Sequence, residues 1–429
     1  MLMSCKLSNT KVHLLTPPLR FQEFREHPGW KIKPLGSEGE FLSSLSGKSA
    51  GHFGTGNGKF VTYMNVFSNT FTDMSSLGTV DVGENESQNR IVDGDVLFTV
   101  SSETPHDAGM SSVVQEDADD CYLNSFCTIF RFFPGARPVD RFTGYAMRQP
   151  LVRKYLKERA QGATRFNLSR AAFRNIPFAI PGRPEQQKIA DCLTSLDELI
   201  AAQGRKVEAL KAHKKGLMQQ LFPREGEAVP RLRFPRFRAF GEWLEKPAGT
   251  LFRNRVESGS GGLPIYSVTM NDGLVNRSSL DRKIDDIANA EGNKKVHKYD
   301  IAYNMMRMWQ GASGVAPEDC MVSPAYVVLA PGSEVHAPFF GYLFKLPQYL
   351  KLLTAHSQGL TKDRLRLYYK DFVGIPLPRP DLSEQKEIAS ALQSIDELIL
   401  VASRKLNGLK THKKGLMQQL FPSPEAMEA

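Results

Sequence analysis

The sequence predicts an α+β protein built twice: two globular α+β domains separated by two long antiparallel coiled-coil helices, related by an internal pseudo-two-fold repeat. Three observations predict it. A segment from the middle of the chain returns almost unchanged near its end, that segment carries an apolar stripe at coiled-coil spacing, and the stretches preceding the two copies are dissimilar and rich in short alternating runs.

Residues Glu185–Pro223 and Glu384–Pro422 agree at about 25 of 39 positions without a gap, far more than two generic amphipathic helices would share. The agreement extends outward in weaker form. Ile176-Pro177 is answered by Ile375-Pro376, Gln161-Gly162 by Gln358-Gly359, and Gly144-Tyr145 by Gly341-Tyr342. At the front, Leu19-Arg20-Phe21 and Trp30 are answered by Leu232-Arg233-Phe234 and Trp243. Between Trp30 and Gly144, and between Trp243 and Gly341, the copies barely resemble one another. The chain therefore divides into an N-terminal extension (1–16), a first domain (17–183), a first helix (184–223), a Pro/Arg-rich linker (224–238), a second domain (239–382), a second helix (383–422) and a short tail (423–429).

Within the first helix Ile189, Leu193, Leu196, Ile200, Val207, Leu210, Leu217 and Leu221 fall at alternating three- and four-residue steps once Gln203 and Lys214 join the stripe as polar members. Ile388, Leu392, Ile395, Ile399, Leu406, Leu409, Leu416 and Leu420 repeat the pattern. Pro184 suits a first helical turn, Ser383 an N-cap, and Pro223 and Pro422 end the pattern. Each helix should run about 38 residues, or about 55 Å. A stripe of that length needs cover. Pairing of the two helices supplies it; two separate helices, each lying on its own domain, would supply it too.

The dissimilar domains carry strand-like runs at Lys59–Phe67, Asp95–Val100, Leu263–Val268 and Ala325–Leu329, broken by Gly, Asn and Asp. Gly51–Gly58 crowds four glycines together. A nucleotide-binding loop should follow a buried strand and open a helix, whereas a strand-like run follows here, so this segment is expected to be a flexible turn.

Composition narrows the function. With 41% apolar and 24% charged residues the 429-residue chain has the make-up of a globular protein, which excludes disordered and fibrous classes. A net charge of +9 points to a polyanionic partner. No apolar run reaches the roughly 20 residues that cross a bilayer, and Met1–Thr10 lacks the apolar core of a signal peptide, so a cytoplasmic protein with no membrane partner is expected. Five scattered cysteines fit reduced thiols, and neither they nor the nine histidines show metal-site spacing. Ser46-Gly47-Lys48-Ser49 has the ending of a phosphate-binding loop, but Leu42 stands where its first glycine must be. Asp117–Asp120 reads as a solvated loop. No catalytic residue, metal ligand or cofactor site is expected.

The order of a divergent domain, Ile176–Gln186 (IPFAIPGRPEQ), a long helix ending in HKKGLMQQLFP, and then all of it again with Ile375–Gln385 (IPLPRPDLSEQ), resembles the specificity subunit of type I restriction-modification systems. The resemblance covers essentially the whole chain; the extension before Leu19 has no role in it. It implies two target-recognition domains, each reading half of a bipartite double-stranded DNA site, with the helix pair as a ruler between them. It also implies two modification subunits, which carry adenine methyltransferase chemistry and S-adenosylmethionine, and restriction/translocase subunits that use ATP and Mg2+. Two other readings fit a chain without catalytic motifs: a non-catalytic coiled-coil adaptor, and the detached specificity part of another restriction-methyltransferase system.

Under that resemblance, sequence readers belong on variable loops and fixed contacts on the repeated frame. Each copy carries a Gln-Gly-x-Thr-basic turn, with Gly162, Thr164 and Arg165 in the first and Gly359, Thr361 and Lys362 in the second, where backbone N–H groups and a cation could meet a phosphate. The glycine could equally end the preceding helix as a cap. Arg170 and Arg174, and Arg364 and Arg366, widen the basic face. Tyr63 and Asn65 in the first domain and Arg307, Trp309 and Gln310 in the second are candidate base contacts. Met218, Leu221 and Phe222, with Met417, Leu420 and Phe421, recur at the two helix ends and are expected to bind two copies of one partner, the off-stripe Phe222 and Phe421 above all.

Overall fold

The computed structural model describes residues 14–83, 85–270, 272–279 and 290–427. They form two units, one of residues up to 203 together with those from 405 onward, the other of residues 204–404. The two repeated segments are helices, Arg183–Leu221 and Leu382–Gln419, and each contributes one half to each unit. Ser383 proves to lie inside its helix rather than at the cap. The residue that caps it is Asp381, whose Oδ1 accepts from the Ser383 N–H at 2.8 Å and from its hydroxyl at 2.5 Å.

In the first unit a four-stranded antiparallel sheet runs in the spatial order Gly39–Ser43, Cys127–Phe132, Val96–Thr99, Ser111–Val113. Beside it lie Gly78–Val80, Phe53–Val61 and Cys121–Leu123, the last two parallel. Two sequence expectations need correction here. The run Lys59–Phe67 is not one strand: the strand ends at Val61, and Thr62 accepts from the Asn65 N–H at 3.2 Å to cap a helix over Tyr63–Ser68. Gly51–Gly58 is not a free turn either, because most of it belongs to the bulged strand Phe53–Val61. There Gly56 holds φ +89°, and a Cβ on it would come within 2.3 Å of the Asp81 Cα. The end of the N-terminal extension, Leu14–Leu15, is a strand paired with Trp30–Lys31, and Leu15 is buried.

The second unit repeats the first sheet as Phe252–Asn254, Tyr326–Pro331, Ile301–Asn304 and Ser313–Val315. A second sheet follows the order Leu274–Asn276, Ile265–Val268, Cys320–Val322, Lys294–Val296, and again contains one parallel pair. Part of the linker does for this unit what the extension does for the first: the Trp243 N–H donates to Ala228 at 3.0 Å.

The repeated residues are explained by what they touch. Glu185 receives the Arg20 guanidinium through two bonds of 2.7 Å, and Glu384 receives Arg233 at 2.7 and 2.8 Å. The next residue reads backbone: Gln186 accepts from the Val139 N–H and donates to the Pro181 carbonyl, as Gln385 does with His336 and Pro380. Farther along, Asp197 accepts from the Tyr145 hydroxyl (2.8 Å) and from Lys413 (2.5 and 2.7 Å). In the second unit Asp396 accepts from Tyr342 (2.7 Å) and Lys214 (2.6 Å). Burial raises the pKa of both tyrosine hydroxyls, so each remains a donor. Both ammonium groups also lie over the tyrosine rings, 5.2 Å from the centre of Tyr145 and 4.9 Å from that of Tyr342.

The helix ends overturn the expectation that Phe222 and Phe421 face a partner. Both rings are at most 1% exposed. Phe421 packs edge-on against Trp30 (5.8 Å) and beside Phe142 (5.8 Å), in the core that also holds Ile189 and Leu193. Phe222 packs against Trp243 (6.3 Å) and Phe339 (5.0 Å), with Ile388 and Leu392. Leu420 and Leu221 are buried in the same cores, and Met417 and Met218 are half-buried against them. The reason is geometric: the chain turns at Pro422 and Pro223, so the residue after the last stripe leucine leaves the helix surface and enters the domain core.

Cys121, Cys127 and Cys320 are buried apart from any disulfide, and burial pushes their thiols up to about 11, 12 and 12. Cys5 lies outside the described residues. Among the described residues no group of side chains could hold a metal ion, and no helix is long and apolar enough to cross a membrane.

Removing a ring that fills such a core leaves a cavity, so Phe222→Ala and Phe421→Ala should each lower stability by about 3–5 kcal/mol. Thermal or denaturant melts of the two variants check this, and a midpoint unchanged from wild type would return the rings to the surface.

Candidate nucleic-acid interface

In the first unit the strands Val96–Thr99 and Ser111–Val113 form a hairpin, and a narrow loop from the Gln-Gly-x-Thr-basic turn lies against its tip. Gln161 and Asn167 exchange backbone bonds of 3.0 and 2.8 Å and close the loop at its base. Ser101–Ser102 pairs with Phe166–Asn167, and the Leu168 N–H donates to Val100 at 3.0 Å. Gly162 has φ +145°, and a Cβ on it would stand 1.9 Å from the Arg165 carbonyl oxygen. The glycine therefore serves the loop's own close approach. It does not cap the preceding helix, Pro150–Arg159, which ends at Ala160 in an extended conformation.

This arrangement brings together Tyr63, Thr164 and Arg165, which line one open cleft of about 470 Å³ with Met64, Phe67 and Ser102. The Arg165 Nε donates to Ser101 Oγ at 3.2 Å, and its guanidinium lies 4.9 Å from the centre of the Phe126 ring, which is itself 49% exposed. The Tyr63 hydroxyl donates to the Ser101 carbonyl at 2.8 Å, and burial raises its pKa. Asn65 is a correction: it is buried and faces no ligand. Its Nδ2 donates to Asp73 (2.8 Å) and Ser76 (3.0 Å), and its Oδ1 accepts from the Asp73 N–H and Asn69 Nδ2 (both 3.0 Å), so its bonding capacity is spent inside the fold. Arg170 donates to the Phe41 carbonyl at 3.1 Å, and Arg174 is exposed at the end of the same short helix.

The second unit makes the same junction with different residues. Gln358 and Arg366 exchange backbone bonds of 2.9 and 2.8 Å, the Leu367 N–H donates to Met305 at 3.0 Å, and Gly359 holds φ +155° with a Cβ position 2.6 Å from the Arg364 carbonyl. Thr361, Arg364 and Arg366 are exposed or half-buried; the Lys362 side chain lies outside the described residues. The adjoining hairpin, Ile301–Asn304 with Ser313–Val315, presents Arg307 and Gln310 to solvent, while Trp309 is half-buried with its indole N–H fixed on the Met306 carbonyl at 3.0 Å.

The loop glycines were legible from the repeat. The hairpin tips and Phe126 were not, because they lie where the two copies diverge and nothing in the linear sequence marks them as neighbours of the repeated loop.

Residues 47–212 and 237–411 each match the type I restriction modification DNA specificity domain. The chain belongs to that family. A member with two such domains has the organisation of a specificity subunit with a two-part target. The chain is 23% identical over 385 residues to the putative type I restriction enzyme MjaX specificity subunit of Methanocaldococcus jannaschii, covering 84% of this chain and 86% of that one. With the type I restriction enzyme MjaVIII specificity subunit of the same organism it shares 24% over 311 residues, 66% and 69% of the two chains. Its fold is similar to that of the type I restriction-modification S subunit from M. genitalium (TM-score 0.55, 14% identity, 95% and 100% covered). It is also similar to a chain from a structure describing complex assembly and conformational transition of the type I R-M system (TM-score 0.58, 16% identity, 92% and 98% covered).

Because neither glycine tolerates a Cβ, Gly162→Ala and Gly359→Ala should reshape their loops while leaving the cores intact. DNA affinity should fall in both variants with the melting midpoint shifted by no more than a few degrees; undiminished affinity would separate these loops from DNA binding.

Proposed function

We propose that this chain is the sequence-reading, non-catalytic subunit of a cytoplasmic type I restriction-modification complex, with the paired loop and hairpin tip of each unit as its DNA contact. The observation that carries this reading is that both units build one backbone junction, a glycine loop hydrogen-bonded to a hairpin tip, and fill it with different side chains. Backbone N–H groups and cations on the loop suit phosphates, which every duplex offers, and the differing tips suit base edges. Partners supply the rest: two modification subunits with S-adenosylmethionine, restriction/translocase subunits with ATP and Mg2+, and none of these cofactors on this chain.

The helices act in this reading as an antiparallel ruler. Within the first unit Asp197 meets Lys413, while Ile189 and Leu193, earlier on their helix, share a core with Leu420 and Phe421, later on theirs. The second unit has the matching order, with Lys214 on Asp396 and Leu221 beside Ile388. That order supports opposite chain directions. A 39-residue helix is about 58 Å long, which suits half-sites on the order of 10–16 base pairs apart.

Arg165→Ala should weaken binding of all duplexes alike and reduce the slope of log affinity against log salt by about one, as expected for one lost phosphate contact. A changed base preference at constant slope would instead make Arg165 a base reader. Removing seven residues, one heptad, from the middle of each helix keeps both stripes in phase and shortens the pair by about 10 Å. Methylation mapping should then show a spacer about three base pairs shorter between unchanged half-sites; an unaltered spacer would dismiss the ruler.

A further inference from the structure

The matching hairpin tips of the two units carry opposite charge, and the chemistry of that difference extends the reading above, on which this inference rests. In the first unit the tip bears Glu103. It is exposed and lines the cleft shared by Tyr63, Thr164 and Arg165, and among the described residues no donor meets it. The neighbouring acid, Asp107, is already engaged by the Thr104 hydroxyl at 2.7 Å. The tip is also braced from beneath. Arg153 donates to the carbonyls of His106 (2.7 Å), Ala108 (2.8 Å) and Gly109 (2.8 Å), and the Ser102 hydroxyl donates to the Thr104 carbonyl. Glu103 is thus held out on a fixed backbone.

A carboxylate without a cation is repelled by phosphates, so its presence on a surface that takes up a polyanion is favourable only where it meets a donor. The donors that DNA offers in the major groove are base amino groups. An ionised carboxylate accepts only, which suits the cytosine N4 amino group; adenine pairs a donor with an acceptor, N7, that a carboxylate cannot satisfy. At the corresponding tip of the second unit the exposed charged residue is Arg307, whose side chain likewise has no partner among the described residues. A guanidinium donates only, and its fork matches guanine O6 and N7.

We propose that Glu103 and Arg307 are the specificity-determining residues of the two hairpin tips, Glu103 accepting from a cytosine amino group in one half-site and Arg307 donating to a guanine in the other.

The test is enrichment of half-sites from a randomised duplex pool by the full-length chain assembled with its modification subunits, comparing wild type, Glu103→Gln and Arg307→Ala. A glutamine pairs with adenine through N6 and N7, so Glu103→Gln should shift one position of one half-site from cytosine towards adenine, the cytosine preference falling roughly 5- to 150-fold. Arg307→Ala should relax a guanine in the other half-site by a similar factor. Both residues are exposed, so melting midpoints should match wild type. Half-sites enriched by both variants that are identical to those of wild type overturn the inference and leave the DNA-reading role standing. A Glu103→Gln variant that merely tightens binding to every sequence overturns it as well. A wild-type complex that enriches no site would remove the role itself, and the inference with it.

Discussion

The structure depends on a buried ion pair made twice. Arg20 and Glu185 have side chains 6% and 3% exposed, and Arg233 and Glu384 10% and 1%. Burying such a pair is tolerable only when the remaining donors are also satisfied. Four of the five N–H groups on each guanidinium are: beyond its two bonds to the glutamate, Arg20 donates to the His27 and Pro28 carbonyls, and Arg233 to those of Phe240 and Gly241. Leaving either partner without the other would cost about 3–5 kcal/mol. Through these bonds each arginine locks the first residues of a domain onto the first turn of one long helix. The residue just before it completes the lock. The Leu19 N–H donates to the Gln419 carbonyl and that of Leu232 to Gln220, both at 2.9 Å, so the same segment also holds the end of the other long helix.

From that junction the division of labour follows. Each repeated residue serves several partners at once: Glu185 takes Arg20 and the Trp30 indole N–H, Gln186 two backbone groups, and Asp197 a tyrosine and a lysine. A substitution at Glu185 or Gln186 strands more than one buried polar group, which is expensive. The hairpin tips carry no such obligation, since Glu103 and Arg307 point to solvent and the first tip's backbone is held from below. The two copies differ at the tips at little energetic cost, and under the proposed reading those are positions a base-reading surface must be free to change.

How much of this was legible in the sequence depended on whether a residue acts through its neighbours in the chain or across the fold. The long helices were plain, because a heptad stripe is a local pattern; so was the loop glycine, because the repeat isolates it. The roles of Phe222 and Phe421 were hidden because the stripe defines only a helix surface, whereas these rings leave the helix and enter cores assembled from residues more than a hundred positions away, Trp30 and Phe339 among them. Asn65 was hidden for a related reason. A polar side chain in a variable stretch looks available until the Asp73–Ser76 turn that consumes its donors is folded against it.

The two units are not exact copies where they could have been, and the difference is informative. The Trp30 indole N–H reaches Glu185 at 3.2 Å, but the equivalent Trp243 N–H is buried with no partner among the described residues. The arginine fork survives unchanged in both, which ranks the two interactions: the frame persists without the tryptophan's bond while the ion pair and the backbone clamps are complete. The same ranking applies at the loops. Gln161–Asn167 and Gln358–Arg366 close loops of different length with the same pair of backbone bonds, and the closing pair is what survives the change. A scaffold that fixes only the junction, through bonds its side chains do not make, leaves the length and chemistry of the tip open, and so one backbone solution can present an acid in one unit and a base in the other.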